Sequence, residues 1–251
     1  GAEAFAAWGW RIPFAIGAVL ALDAFVLRTR ASETPVFERV RAERAAEIGD
    51  RSRLRDHWLA CVRVASIQLS TLPYYLWTVF LPTYAYLTAG IPLADGFLAN
   101  AIALAVFAAV LPLFGLLSDR IGRKPMLLFG GAGLVLGAYP MLAAVREGGF
   151  VTLLLVSIAG CLLLAGIDAV MATVFSELIP PHIRVTGIGI PYSIVGAVFG
   201  GTAPLISAAF VNAGSPDLLS VYVIVVMLVA VTVWAFMPET RQRPIDTTAA
   251  G

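Results

Sequence analysis

The sequence predicts an all-α membrane protein with seven transmembrane helices, and three observations carry that reading. First, 59% of its 251 residues are hydrophobic and 13% are charged, where a soluble domain has roughly 45–50% apolar and about 25% charged residues. The mean hydropathy of +0.87 says the same. Second, the charges are segregated: the stretch from Arg28 to Asp56 holds 14 of the 33 charged residues. Third, a bilayer core about 30 Å thick needs about 20 apolar residues of helix. Seven runs of about that size or longer lie between polar breaks, approximately 10–27, 59–87, 97–117, 125–145, 150–178, 187–211 and 218–237.

The first run opens after Arg11 and carries Trp8 and Trp10 at its edge, which suits an interfacial aromatic belt. A cleaved signal sequence is the alternative for this segment. Asp23 within it, and Arg28 and Arg30 where small residues should precede a cleavage site, argue against that. Asp23 lies close enough to the Arg28 end to snorkel into an ion pair. The long 28–56 segment, with its alternation around Arg39, Glu43 and Glu47, reads as a solvated surface helix. The other connections are short, so the last six spans should be antiparallel neighbours. The chain does not begin with Met and opens directly into its first span, which points to a piece of something longer.

Orientation follows from the basic residues. Eight lie in 28–56; Arg120, Arg123 and Lys124, then Arg184, then Arg241 and Arg243 add six more on the same side. The positive-inside rule places that side, with the C-terminus, in the cytoplasm. Arg63, one turn into the second span, snorkels back towards that interface. The net charge of +1 gives no support for nucleic acid as a partner.

Polar residues within the spans are the candidates for function. Gln68, Thr71, Tyr75 and Thr78 recur at helical spacing on one face of the second span, interrupted by Pro73 and followed by Pro82. Such a stripe serves either helix packing through interhelical hydrogen bonds or the wall of a polar cavity in a bent helix. Asp168, in the fifth span, stands nine residues from Glu177, about 13 Å into the membrane. A carboxylate at that depth is costly and faces a bundle interior or an aqueous path.

Other chemistries are excluded. The sole lysine, Lys124, is in a loop, so no Schiff-base lysine is buried in the bundle. His57 and His182 sit at membrane edges, against a buried Ser/His pair or a histidine metal site. Cys61 and Cys161 match neither CxxC nor a zinc spacing. Gly130, Gly131 and Gly133 fail the dinucleotide fingerprint and read as close helix packing, as do the pairs Gly133/Gly137 and Gly196/Gly200. No metal, cofactor or catalytic residue is expected.

Between the third and fourth spans the sequence runs Gly115-Leu-Leu-Ser-Asp119-Arg120-Ile-Gly122-Arg123-Lys124. Gly122 permits a turn, Asp119 can hold a cation or a helix N-terminus, and three cations hold the loop at the anionic leaflet. This resembles the G-x-x-x-D-R-x-G-R-K/R loop signature of the major facilitator superfamily. Glu33-Thr-Pro-Val-Phe37, Phe80-Leu-Pro-Thr-Tyr84, Glu177-Leu-Ile-Pro180 with Arg184 and Gly187, Phe199-Gly-Gly-Thr-Ala-Pro204, and Pro238-Glu-Thr240 are similar to its metabolite:proton symporter family. That family includes carriers of proline and betaine, dicarboxylates, citrate, 2-oxoglutarate and shikimate. Sugar porters share the loop and the final Pro-Glu-Thr but carry Pro-Glu-Ser-Pro where this chain has Glu-Thr-Pro-Val-Phe.

The resemblance implies that the seven spans correspond to helices 6–12 of a twelve-helix fold. Residues 1–27 would be the last helix of an N-terminal half that is otherwise missing. Residues 28–56 would be the inter-half loop, 57–237 the six-helix C-terminal half, and 238–251 a cytoplasmic tail. It further implies a secondary transporter in the cell (inner) membrane, moving a small organic solute, a carboxylate or zwitterion, with protons by alternating access. Gln68, Thr71, Tyr74, Tyr75 and, more weakly, Asp168 would line the path; Asp119, Arg120, Arg123, Glu177 and Arg184 would form a cytoplasmic gate. A sensor or remnant retaining the fold without transport is the alternative function.

Overall fold

The structure is a computed structural model that describes residues 8–9, 11–30, 57–180 and 183–241. The expected surface helix within 28–56 and the tail beyond 241 lie outside the described residues, apart from the helical backbone of 28–30. The chain divides into two units, Gly1–Arg51 and Ser52–Gly251. In the first, α1 (Arg11–Arg30) is a helix with exposed apolar side chains, among them Phe14, Val19, Leu20 and Phe25. The described residues are helical almost throughout and contain no strand, as a lipid-spanning chain requires, because a helix satisfies its own backbone polar groups.

The second unit opens with one bent span assembled from four pieces: α2 (Trp58–Gln68), α3 (Thr71–Tyr75), a π-helical turn (Leu76–Phe80) and α4 (Leu81–Ala89). Two prolines cause the breaks. Pro73 has no N–H to give Leu69, whose carbonyl accepts from Leu72 N at 3.2 Å instead. Pro82 likewise leaves the Thr78 carbonyl open, and the Asn100 side-chain amide of the next span fills it, Nδ2 to O 2.8 Å.

Three long helices follow: α5 (Leu93–Ile121), α6 (Arg123–Glu147) and α7 (Phe150–Leu178). α5 and α7, at 29 residues each, are about 43 Å long. They exceed the hydrocarbon core, so their ends reach the headgroup regions; α5 runs past the limits read from apolarity, and α7 coincides with them. α7 is the most buried helix, packed against both α5 and α6. The next span is also composite: α8 (Arg184–Val195), a second π-helical turn (Gly196–Gly200) and α9 (Gly201–Asn212), with Pro191 and Pro204 inside it. α10 (Asp217–Phe236) closes the unit against α6. Counting each broken helix as one, the described residues form seven helical spans.

Close approach fixes how the bent span meets α7. Trp77 is fully buried and its indole Nε1 donates to the Val156 carbonyl at 3.3 Å. The ring lies against Gly160 so tightly that a Cβ there would overlap it. On the outer side, Tyr84 is fully buried with its hydroxyl donating to the Leu142 carbonyl at 3.3 Å. An Arg146–Asp217 ion pair at 2.6 Å joins the end of α6 to the start of α10.

Candidate solute path and cytoplasmic charge cluster

The polar stripe of the bent span faces the second π-helical turn. Gln68 is buried and its Nε2 donates to Thr71 Oγ1 at 2.6 Å. A Cβ added at Gly196 would meet Gln68 Nε2 at 3.4 Å, and one added at Gly200 would stand 2.7 Å from the Thr71 methyl and 3.0 Å from the Tyr75 ring. The two glycines thus form the floor on which Gln68, Thr71 and Tyr75 rest. Thr78, expected on the same face, bonds its own helix instead, Oγ1 to the Tyr74 carbonyl at 2.7 Å. The break at Leu69–Ser70 and the π-helical turn spoil uniform helical periodicity.

Tyr74 lies beside Tyr75. Their rings meet edge to face at 5.9 Å, and Tyr74 also meets Phe107 of α5 at 6.4 Å. Tyr75 is 39% exposed in this chain, so it lies at an open surface. Asp168 of α7 is within electrostatic reach of Tyr74, as are Cys161 and Tyr192. About two turns further along α7, Phe175 packs edge to face on Tyr192 at 6.4 Å. The Oδ2 atom of Asp168 is buried and receives no hydrogen bond among the described residues. The fold therefore brings Tyr75, Tyr192 and Asp168, from three spans, within reach of Tyr74, while Gln68 and Thr71 sit against the second π-helical turn. Tyr192 was not legible as a candidate, because one tyrosine in an apolar run has no pattern.

At the other end of the bundle from the Arg146–Asp217 pair, the α5–α6 turn is built around Gly122, with φ +106° and ψ 163°, a region essentially restricted to glycine. Arg123, on the first turn of α6, reaches back: its Nη1 donates to Asp119 Oδ1 at 2.6 Å and to Ser118 Oγ at 2.9 Å. Its Nε lies 3.7 Å from Glu177 Oε1 of α7, an ionic contact too long for a hydrogen bond. Arg184 Nε donates to the Ile179 carbonyl at 3.3 Å. Gly115 packs nothing, since an added Cβ would meet no atom within 4 Å. The Arg120 side chain is exposed.

The residue that organises this cluster is Glu239. Its carboxylate accepts the backbone N–H of Arg123 at 2.9 Å and of Lys124 at 3.1 Å, capping α6, and those of Thr240 and Arg241 at 3.0 Å each. Burial pushes its carboxyl pKa up, but the N–H donors of Arg241, Arg123, Lys124 and Thr240 outweigh that and hold it below the ordinary value of 4.5. Two cations return the contact. Lys124 Nζ donates to the Ala235 carbonyl at 2.6 Å, at the end of α10, and Arg241 Nη1 donates to the Arg120 carbonyl at 2.5 Å, at the end of α5. Glu239 stood in the sequence as part of a motif without a role. Its partner is more than a hundred residues away, and only the order Pro-Glu-Thr after the last apolar run hinted at it.

Residues 47–250 match the sugar (and other) transporter family. The chain belongs to that family, within the major facilitator superfamily. Among curated members, it is 29% identical to the ectoine/proline transporter of Corynebacterium glutamicum over 98% of this chain and 51% of that protein. It is 30% identical to the alpha-ketoglutarate permease of Escherichia coli over 89% of this chain and 51% of the permease. It is 29% identical to the citrate-proton symporter of Klebsiella pneumoniae over 84% of this chain and 48% of that protein. The chain thus spans about half the length of the curated relatives it matches. Those transporter-family relatives carry transport names and no enzyme name.

Proposed function

We propose that this chain is the C-terminal portion of a secondary active transporter that moves a small organic solute, a carboxylate or zwitterion, together with protons by alternating access. The observation that carries the reading is a seven-span half-molecule matching half the length of transporters and a proton symporter. Supporting it, an open polar cluster lies on the bent span, where Tyr75 is exposed and Tyr192 and Asp168 lie within reach of its neighbour Tyr74. Such a face is the wall of a path whose other wall is an N-terminal half. Gln68 and Thr71 brace it from behind. In this reading Asp119, Arg123 and Glu177 close the cytoplasmic side, with Glu239 and Arg184 holding the neighbouring helix ends.

The distribution of basic residues supports 28–56 and the C-terminus on the cytoplasmic side of the cell (inner) membrane. With Cys61 and Cys161 replaced, an impermeant thiol reagent outside sealed cells should label a cysteine at Gly149 and not one at Ser52. The reverse pattern inverts the orientation. For transport, cells expressing the complete reading frame are tested with labelled proline, betaine, 2-oxoglutarate, citrate and glucose under an imposed inward pH gradient. Uptake of one of the first four that collapses with a protonophore is the expected result. Uptake of glucose alone favours a sugar porter, and no uptake at normal surface expression favours a sensor or remnant.

A further inference from the structure

Asp168 is the one carboxylate in the described interior that the packing leaves without a counter-charge. Its Oδ2 is buried and accepts no hydrogen bond among the described residues. Nine residues separate it from Glu177, the next acid along α7, which places it about 13 Å deeper in the membrane. By contrast, Glu177 has the Arg123 guanidinium at 3.7 Å.

The ionisable groups within electrostatic reach of Asp168 are Tyr74 on α3 and Cys161 two turns back on α7; Tyr75 and Tyr192 of α8 lie within reach of Tyr74. Tyrosine and cysteine are ordinarily neutral near pH 7. The cations on the elements packed against α7 stand towards its ends. Arg123 and Lys124 begin α6 and are held by Asp119, Glu177 and the Ala235 carbonyl, whereas Arg146 closes α6 at the other side on Asp217. Arg63 is on α2, eleven residues before Tyr74 and so about 16 Å away along the span. The acids of α5, Asp95 and Asp119, lie in its first and last turns.

A carboxylate in such a place carries its charge at high cost unless water or a cation reaches it, and accepting a proton removes the cost. Opening the path to either side supplies water, and closing it removes that water. Proton occupancy at this oxygen therefore follows access. Resting on the symport reading above, we infer that Asp168 is the residue that takes up the coupled proton from water on one side of the membrane and releases it to water on the other. No covalent bond other than the O–H forms or breaks, and solute and proton cross together when the occupied site reorients.

The test uses the full-length protein in sealed proteoliposomes, with whichever of proline, betaine, 2-oxoglutarate or citrate the wild type carries. In Asp168→Asn, accumulation driven by a pH gradient and the accompanying proton movement should both be lost, while exchange of labelled for unlabelled solute at equal pH persists. Asp168→Glu should restore accumulation with a shifted pH midpoint. Persistent pH-driven accumulation in Asp168→Asn overturns the inference. So does loss of exchange together with accumulation in a folded Asp168→Asn protein, which makes Asp168 a ligand of the solute. If Asp168→Asn does not fold, Asp168→Glu decides, because an unshifted pH midpoint of uptake overturns the assignment. A wild type that exchanges solute without any response to a pH gradient refutes the symport reading itself, a distinct outcome.

Discussion

A Cβ added at Gly122 would stand 2.5 Å from Glu239 Oε2. The α5–α6 turn and the end of α10 are therefore one structure, in which the carboxylate fills the space a side chain would need and bonds the N–H groups that the turn leaves exposed. Lys124 and Arg241 tie the same two regions in the opposite sense, each donating to a carbonyl at a helix end.

Gly122→Ala should destabilise the protein by about 1–3 kcal/mol, the cost of a side chain in this backbone region, with the displaced Glu239 adding to it. Gly115→Ala, in open space, should leave stability unchanged. Thermal unfolding midpoints of the detergent-solubilised protein compare the two. Equal midpoints would mean that the turn relaxes at no cost.

Glu239→Gln should lower stability in a pH-dependent way. The folded-state carboxyl lies below its ordinary value of 4.5, so its contribution is fully present above that pH and is lost as pH falls through the depressed folded value. The difference in unfolding midpoint between wild type and Glu239→Gln should be constant from neutral pH down to the ordinary carboxyl range and shrink below it. A difference that grows on acidification contradicts the capping role.

Asp119→Asn combined with Glu177→Gln should reduce solute uptake by the full-length protein at normal surface expression. The exposed Asp119 contact is worth about 0–1 kcal/mol, so Asp119→Asn alone should act weakly. The two substitutions together remove both anions around Arg123, and unchanged uptake in the double variant reduces this cluster to a topology signal.

Gln68→Ala and Tyr75→Phe should part ways. The first breaks a buried side-chain bond at a helix contact, worth about 1 kcal/mol within a membrane bundle, and should lower stability or expression. The second leaves the ring packed on Gly200 and removes only a hydroxyl at the open face, so it should change half-saturation for the solute. Uptake against concentration, set beside thermal stability, separates them; a Tyr75→Phe protein with unaltered half-saturation and maximal rate does not line the path.

Much of the fold was legible because it is set locally. Each apolar run met the length requirement of the bilayer, and the observed helices match the predicted runs to within a few residues, extended where Arg123 or Asp95 still suits a helix terminus. Pro73 and Pro82 marked the bent span. The second composite span was not anticipated, since Gly196 and Gly200 read equally as packing glycines in an unbroken helix. Of the candidate site, the Asp119–Arg123 contact was within reach because it joins neighbours at i and i+4. Asn100, Tyr192 and Glu239 were not singled out for their roles, since nothing near them in sequence announces their partners.

The sequence by itself determined the number of helical spans and, to within a few residues, their limits. These depend on each segment's free energy against lipid and water, a sum over adjacent residues and nearby charges. Only the tertiary structure decided where the polar groups freed within those spans go. The Thr78 carbonyl finds Asn100 22 residues on, the Trp77 indole finds Val156 79 residues on, and the N-terminus of α6 finds Glu239 116 residues on. In an apolar medium such groups must be satisfied by whatever packing brings near, and that proximity is a property of the assembled bundle rather than of any one segment.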